Sequence, residues 1–286
     1  MSEKLSFLYL FYFYKAKFLY RFKNKYLLYS SYKKEAKDFN KNGFSFFTNS
    51  LIKKNCENIL YKLEKSSFSW DNSNIFIGSP SDEFRKELIN IFKNGVDEFI
   101  KQTFQSDYYI FYHILYKSKR LIKEKKEEGS QLWHADGGPG TCMNLMICHS
   151  PINKNNGAMK IINWRKSKKL LSKLYFEYKR LVRNNTFKFE DKQEKRLYLR
   201  KLKCEIIKGY IEDESVNYFQ PNTNNSGAIF PFSNNCVHAG GYTELGYERI
   251  VSVMHIYPSI KKTSLEEKFR SCHKKTSGYP SINNLQ

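Results

Sequence analysis

Trp133-His134-Ala135-Asp136-Gly137-Gly138 places an imidazole and a carboxylate two residues apart at the end of a strand-like run, Gln131 to Ala135. In a strand, side chains at i and i+2 point to one face, so both groups can approach one cation. Such a pair taken alone has a plain reading, an Asp that orients a surface His. Further along, Val237-His238-Ala239-Gly240-Gly241 follows the strand-like Ala228 to Phe232 and offers a second imidazole. Two imidazoles and one carboxylate make a facial triad that suits Fe(II) and leaves adjacent coordination positions open. Arg249, eleven residues beyond His238, opens the strand-like Arg249 to Tyr257. A guanidinium there can grip the far carboxylate of a dicarboxylic acid and aim its other end at the metal. The alternative for Arg249 is a rim salt bridge to Glu244 or Glu248. His255 shares a face with Arg249 under ideal alternation and competes with His238 as third ligand. Asn144 and Trp133 join Arg249 as candidate cofactor-binding residues, with core or supporting roles as the plain alternative. Met146 shares the Asn144 face, and Tyr112 and His113 sit on opposite faces of Tyr108 to Tyr116. His149 and His273 have no partner pattern.

The elements that must position these groups change character along the chain. Lys34 to Asn40, the Asn42-Gly43 turn, a short strand at Phe44 to Phe47 and a helical repeat through Leu51, Ile52, Cys56, Ile59, Leu60 and Leu63 begin a helical front third. Another amphipathic helix covers 82–104. From Tyr108 the texture is β, with short runs at 108–116, 131–135, 141–148, 158–163, 228–232 and 249–257 bounded by Gly, Pro, Asn and Ser. Strands in series without regular helical crossovers predict a double-sheet jelly roll, a double-stranded β-helix core, mostly β beyond its helical N-terminal third. A Lys-, Arg- and Leu-rich stretch at 166–212 reads as a helical insertion. The chain divides into a basic aromatic segment at 1–34, helical in pattern, a catalytic domain at 35–262 and a tail at 263–286.

Composition bounds the partners. The 286 residues hold 49 Lys and Arg against 28 Asp and Glu, a formal charge of +21, and 16% aromatics. That surplus attracts phosphates, acidic lipids and acidic metabolites alike. A solvated basic surface is favoured over a dedicated nucleic-acid partner. Six cysteines form no CxxC pair and no disulfide framework, which fits a reducing cytoplasm. The apolar run Leu5 to Tyr14 is too short to span a bilayer and makes a poor signal peptide. Peripheral membrane contact through the N-terminal segment fits its alternation of cations and aromatics.

Residues 35–260 resemble the phytanoyl-CoA dioxygenase-like branch of the Fe(II)/2-oxoglutarate-dependent oxygenases. The resemblance is carried by Phe39-Asn40-Lys41-Asn42-Gly43-Phe44 between helix and strand, by His134 and Asp136, and by Asn156-Gly157-Ala158-Met159-Lys160-Ile161-Ile162. It continues through Gly227-Ala228-Ile229-Phe230-Pro231-Phe232, His238-Ala239-Gly240-Gly241, Glu248-Arg249 and Tyr257-Pro258-Ser259. It implies Fe(II) on His134, Asp136 and His238, 2-oxoglutarate anchored by Arg249, and O2 as oxidant. It further implies hydroxylation or a related oxidation of an unactivated C–H bond, with release of succinate and CO2. The expected substrate is a small-molecule metabolite derived from sugar, lipid or amino acid. Asp136 sets the chain apart from halogenating relatives, which carry a small residue there.

Three departures stand out. A Gly-Ser-His turn is replaced by Asn163-Trp164-Arg165-Lys166-Ser167, a hydroxyl residue two places after the distal His by Gly240, and the residue two past the arginine is Val251. Ser252 would face the other side of a regular strand, so the co-substrate pocket lacks a hydroxyl at the position relatives use. These departures keep two alternatives open. One is a same-class oxygenase acting on a macromolecule or anionic partner, and the other is a non-catalytic jelly-roll binding protein with an idle metal site.

Overall fold

Helix α1 (Lys33–Asn42) turns Ala36 and Phe39 inward and stops at Gly43, whose amide donates to the Phe39 carbonyl (2.7 Å). Gly43 has φ +80°, and a Cβ there would collide with Cys236 and Trp164, so only glycine fits. In the computed structural model, the described residues are 11, 14, 15, 18, 31–65, 76–77, 82–119, 129–136, 142–184, 191–272, 280 and 284–285. Most of the segment 1–34, Thr141, and residues 273–279, 281–283 and 286 of the expected tail lie outside them.

After α1 come β1 (Phe47–Thr48), α2 (Ser50–Lys65), β2 (Phe76–Ile77) and α3 (Asp82–Ile91), which runs through a π-helical turn into α4 (Asp97–Phe104). The β region holds β3 (Asp107–Lys119), β4 (Met143–Cys148), β5 (Lys160–Ile161), β6 (Ala228–Ser233), β7 (His238–Ala239) and β8 (Glu248–Ser259). Between β5 and β6 lie α5 (Trp164–Asn184) and α6 (Lys192–Asp213), and α7 (Leu265–Arg270) follows β8. The major sheet runs β1-β6-β4-β8-β3-β2 with antiparallel neighbours; β5 and β7 form a minor one.

Period-2 alternation divides the long strands between two cores. Leu145, Ile147, Ile229, Met254 and Ile256 face the N-terminal helices, where Ile52, Ile59, Phe84, Leu88 and Phe99 meet them. Each such side chain, fully buried, contributes roughly 1.5–3 kcal/mol. Met146, Cys148, Phe230, Phe232 and Val251 point the other way, toward Ala158, Met159 and Ile161 beside the minor sheet. The expected double-sheet core, flanking helices and helical insertion are therefore present. Helices take about half of the structure, and the sheets face each other without closing into a barrel.

The insertion is tied to the site by a hydroxyl and by apolar packing. Asn163 starts α5 by accepting the Lys166 amide on its side chain (3.0 Å), and Ser167 Oγ accepts the Val237 amide (2.9 Å), one residue before His238. Leu170 and Leu174 of α5 and Ile207 and Ile211 of α6 then pack on Ile162 and Val237. The altered turn at 163–167 is thus the first turn of this helix. Among the described residues no helix is long and apolar enough to cross a membrane.

Candidate metal centre

The expected strand at Gln131 to Ala135 forms only in part. A 3-10 turn covers Gly129–Gln131, and the chain then runs beside 234–240 with one bridge, His134 against His238. These two exchange both backbone hydrogen bonds (2.9 and 2.8 Å), flanked by Asp136 N donating to Asn234 O (3.0 Å) and Gly240 N to Ser130 O (2.7 Å). The backbone pairing thus brings the two imidazoles together, with ring centroids 4.4 Å apart.

Each imidazole is anchored in the same way. Nδ1 of His134 lies 2.6 Å from the Leu132 carbonyl, and Nδ1 of His238 lies 2.8 Å from the Cys236 carbonyl. A carbonyl only accepts, so Nδ1 carries a proton and Nε2 is the nitrogen left to serve as a ligand atom. Both Nε2 atoms turn to Asp136, His134 at 3.5 Å from Oδ1 and His238 at 3.8 Å from Oδ2. The three ligand atoms lie within 4.8 Å of one another, the one such cluster among the described residues. Burial alone would raise the Asp136 carboxyl, but His238, His134 and His255 outweigh it and hold it well below the usual carboxylate range. Burial lowers His238 against the pull of Asp136. The result is an ionised carboxylate beside two imidazoles whose Nε2 atoms face it, a donor set for a divalent cation of the Fe(II) kind.

The inner face of the major sheet supports this set in a row. Phe232, Asn144, His255 and Tyr112 are cross-strand neighbours on β6, β4, β8 and β3. Asn144, fully buried, donates its amide to Asp136 Oδ2 (2.5 Å) and so fixes the carboxylate. It acts on the candidate ligand. His255 shares a hydrogen bond with the Tyr112 hydroxyl (2.7 Å), and burial pushes its pKa down to about 4. His238, not His255, belongs to the ligand cluster. Trp133 turns away from the ligands and packs with the α5–α6 cluster, 5.9 Å from the Tyr218 ring. The Tyr112–His255 pair was not legible as a pair, because alternation alone does not align β3 with β8.

Arg249 stands further along the inner face of β8, buried to 8% exposure. It donates to the Gly157 carbonyl and, at 3.4 Å, to Ser118 Oγ, while its buried Nε has no hydrogen-bond partner. Among the described residues no carboxylate pairs with it; Glu248 binds Lys117 instead (3.3 Å). A buried guanidinium with an orphan N–H and no counter-ion suits an incoming anion. Gly157 makes its carbonyl available through φ +80°, with Gly241 packed where a Cβ would go. The opposite, helix-facing side of the sheet carries another imidazole pair. His113 and His149 each place Nε2 on Ser252 Oγ (3.0 and 2.7 Å), leave Nδ1 without a partner, and are pushed by burial to pKa values of about 3.

No family model and no curated protein matches the chain by sequence. By structure it is similar to the non-heme alpha ketoglutarate dependent epimerase SnoN from nogalamycin biosynthesis. That likeness has 9% identity and a TM-score of 0.51, and covers 79% of this chain and 82% of that one. The structure of SnoN in complex with Fe3+, alpha ketoglutarate and nogalamycin RO aligns at 10% identity and a TM-score of 0.52, covering 87% and 92%. At such identity what is shared is the fold.

Proposed function

We propose that the chain is an Fe(II)- and 2-oxoglutarate-dependent dioxygenase that oxidises a C–H bond of a small molecule. The observation that carries this reading is the meeting on one face of three ligand atoms, two of them on imidazoles anchored through Nδ1, with a buried guanidinium beyond whose Nε has no partner among the described residues. His134, Asp136 and His238 would hold the iron, and Arg249 the remote carboxylate of 2-oxoglutarate. The donor set fits the metal, and the orphan Arg249 Nε fits the anion. When bound, iron and 2-oxoglutarate supply the activation of O2, with succinate and CO2 as co-products.

The protein's own contribution is orientation. Asn144 keeps Asp136 turned to the imidazoles, and the carbonyls of Leu132 and Cys236 keep both rings in the ligating tautomer. Met146, Phe230, Phe232 and Val251 keep the floor apolar. Six residues on one strand span about 20 Å, so Arg249 and the Tyr112–His255 pair lie toward opposite ends of the inner face. With 2-oxoglutarate on the arginine side, the imidazole and phenol are left to face the substrate. Anaerobic Fe(II) and 2-oxoglutarate should produce a weak metal-to-ligand absorption band, and Asp136→Ala should abolish it. A folded, iron-loaded protein that gives no band would sink this reading.

A further inference from the structure

Helix α5 turns its apolar residues inward and its cations outward. It holds eight Lys and Arg against one carboxylate, Glu177. Ser167, Leu170 and Leu174 are buried against the domain, whereas Arg165, Lys168, Lys169, Lys179, Arg180 and Arg183 are exposed. Glu177 and Lys173, four residues apart and half-buried, mark the margin of the outer face, one tied to Arg180 (2.6 Å) and the other to Glu214.

Among these cations stand two aromatic rings. Phe176 is 72% exposed and Tyr175 54%, with ring centroids 5.7 Å apart. Residues three, four and seven apart share a helix face, which places Lys169, Lys179, Arg180 and Arg183 around Phe176. At 1.5 Å per residue, Arg165 and Arg183 lie about 27 Å apart along the axis. The outer face is therefore long, convex and cationic, with apolar rings near its middle.

A single exposed ring is ordinary on a protein surface. Rings surrounded by cations on a helix have the composition of an interfacial helix, whose aromatics sit at headgroup level while its Lys and Arg meet anionic lipid. Duplex nucleic acid offers phosphates to the same cations but no apolar layer for the rings. A lipid surface offers both.

We propose that the outer face of α5 docks on an anionic phospholipid bilayer, with Phe176 and Tyr175 entering the headgroup layer and the flanking Lys and Arg binding lipid phosphates and carboxylates. The proposal stands apart from the reading of the metal centre. On its inner side the same helix holds Val237, beside His238, through Ser167 and Leu170. One helix thus serves the docking face and braces the site.

The test is cosedimentation of the full chain, over a range of salt, with vesicles of phosphatidylcholine and with vesicles made anionic by phosphatidylserine. Binding should require the anionic lipid and weaken with salt. Each Lys or Arg brought to such a surface is worth roughly fivefold in affinity. Arg165→Gln, Lys179→Gln and Arg183→Gln together should therefore weaken binding about a hundredfold. Phe176→Ser should weaken it about tenfold with an unchanged salt dependence, because it removes only the apolar part. Both variants should keep the wild-type circular dichroism and melting temperature, since the four side chains are exposed. Failure to bind the anionic vesicles, equal binding to both kinds, or binding that survives the triple change overturns the proposal. So does an unmoved affinity in Phe176→Ser, and a tight, salt-dependent grip on a duplex oligonucleotide beside it would assign the face to nucleic acid instead.

Discussion

The two sides of the major sheet each hold a pair of imidazoles, and the pairs are wired in opposite senses. On the inner side, His134 and His238 fix Nδ1 on the carbonyl two residues before and turn both Nε2 atoms to Asp136. On the helix side, His113 and His149 commit Nε2 to Ser252 and leave Nδ1 buried and unpartnered, with no carboxylate in the cluster. The same side chain is placed as a candidate ligand in one place and as core in the other. What decides is which nitrogen the backbone occupies and whether an anion stands close by. A buried imidazole is therefore no sign of a metal until its tautomer is known.

The largest expected effect is on the inner pair. His238→Ala should abolish the absorption band of the iron and 2-oxoglutarate complex, whereas His149→Gln should keep the band; isothermal titration with Fe(II) gives the same contrast. Loss of the band in both variants would erase the distinction between the pairs.

Next is a dependence on acid. The helix-side imidazoles stay neutral when folded, with pKa values of about 3, while the unfolded chain takes up protons below about pH 6.5. Their folded values are depressed, so their contribution is complete above pH 6.5 and is lost as pH falls toward 3. The slope is roughly 1.4 kcal/mol per pH unit for each imidazole. Urea unfolding of the metal-free protein between pH 7 and 5 should show that slope, with His255 and His238 adding to it, since both are also lowered. His149→Gln should flatten the slope. An unchanged slope in the variant would mean that the helix-side pair does not titrate with folding.

The smallest effect separates holding from being held. Asn144→Ala leaves all three ligands in place and frees only the carboxylate, so Fe(II) affinity should fall about 10- to 100-fold, not vanish. A fall as complete as that of His238→Ala would make Asn144 a ligand in its own right.

Much of this was legible in the residues. The His-x-Asp pair, the distant His238 and the Arg249 strand read directly, because period-2 alternation predicts shared faces. The helical stretch at 166–212 also read directly, from Leu and Lys spacing. The structure adds what alternation leaves out. It cannot say which face is inner, so Asn144 read as a generic candidate until its amide was found on Asp136. It cannot align two strands, and β3 shifts register between Ile110 and Tyr112, so Tyr112 beside His255 and Tyr116 beside Val251 were hidden. Trp133 carries the opposite lesson: as the odd residue before a same-face pair it packs with the insertion, consistent with the parity of the pattern.

The thiols of the inner face bear on durability. Cys142 donates to Asn144 Oδ1 (3.9 Å), and Cys148 lies in the inner cluster near Arg249. An O2-activating site of the kind proposed can release peroxide when turnover goes astray, and the form of cysteine that attacks peroxide is the thiolate. Burial pushes the Cys148 thiol up to about 12 and raises Cys142 further still. Both sulfurs therefore remain protonated at neutral pH, and the thiols of the inner face are chemically slow toward such an oxidant.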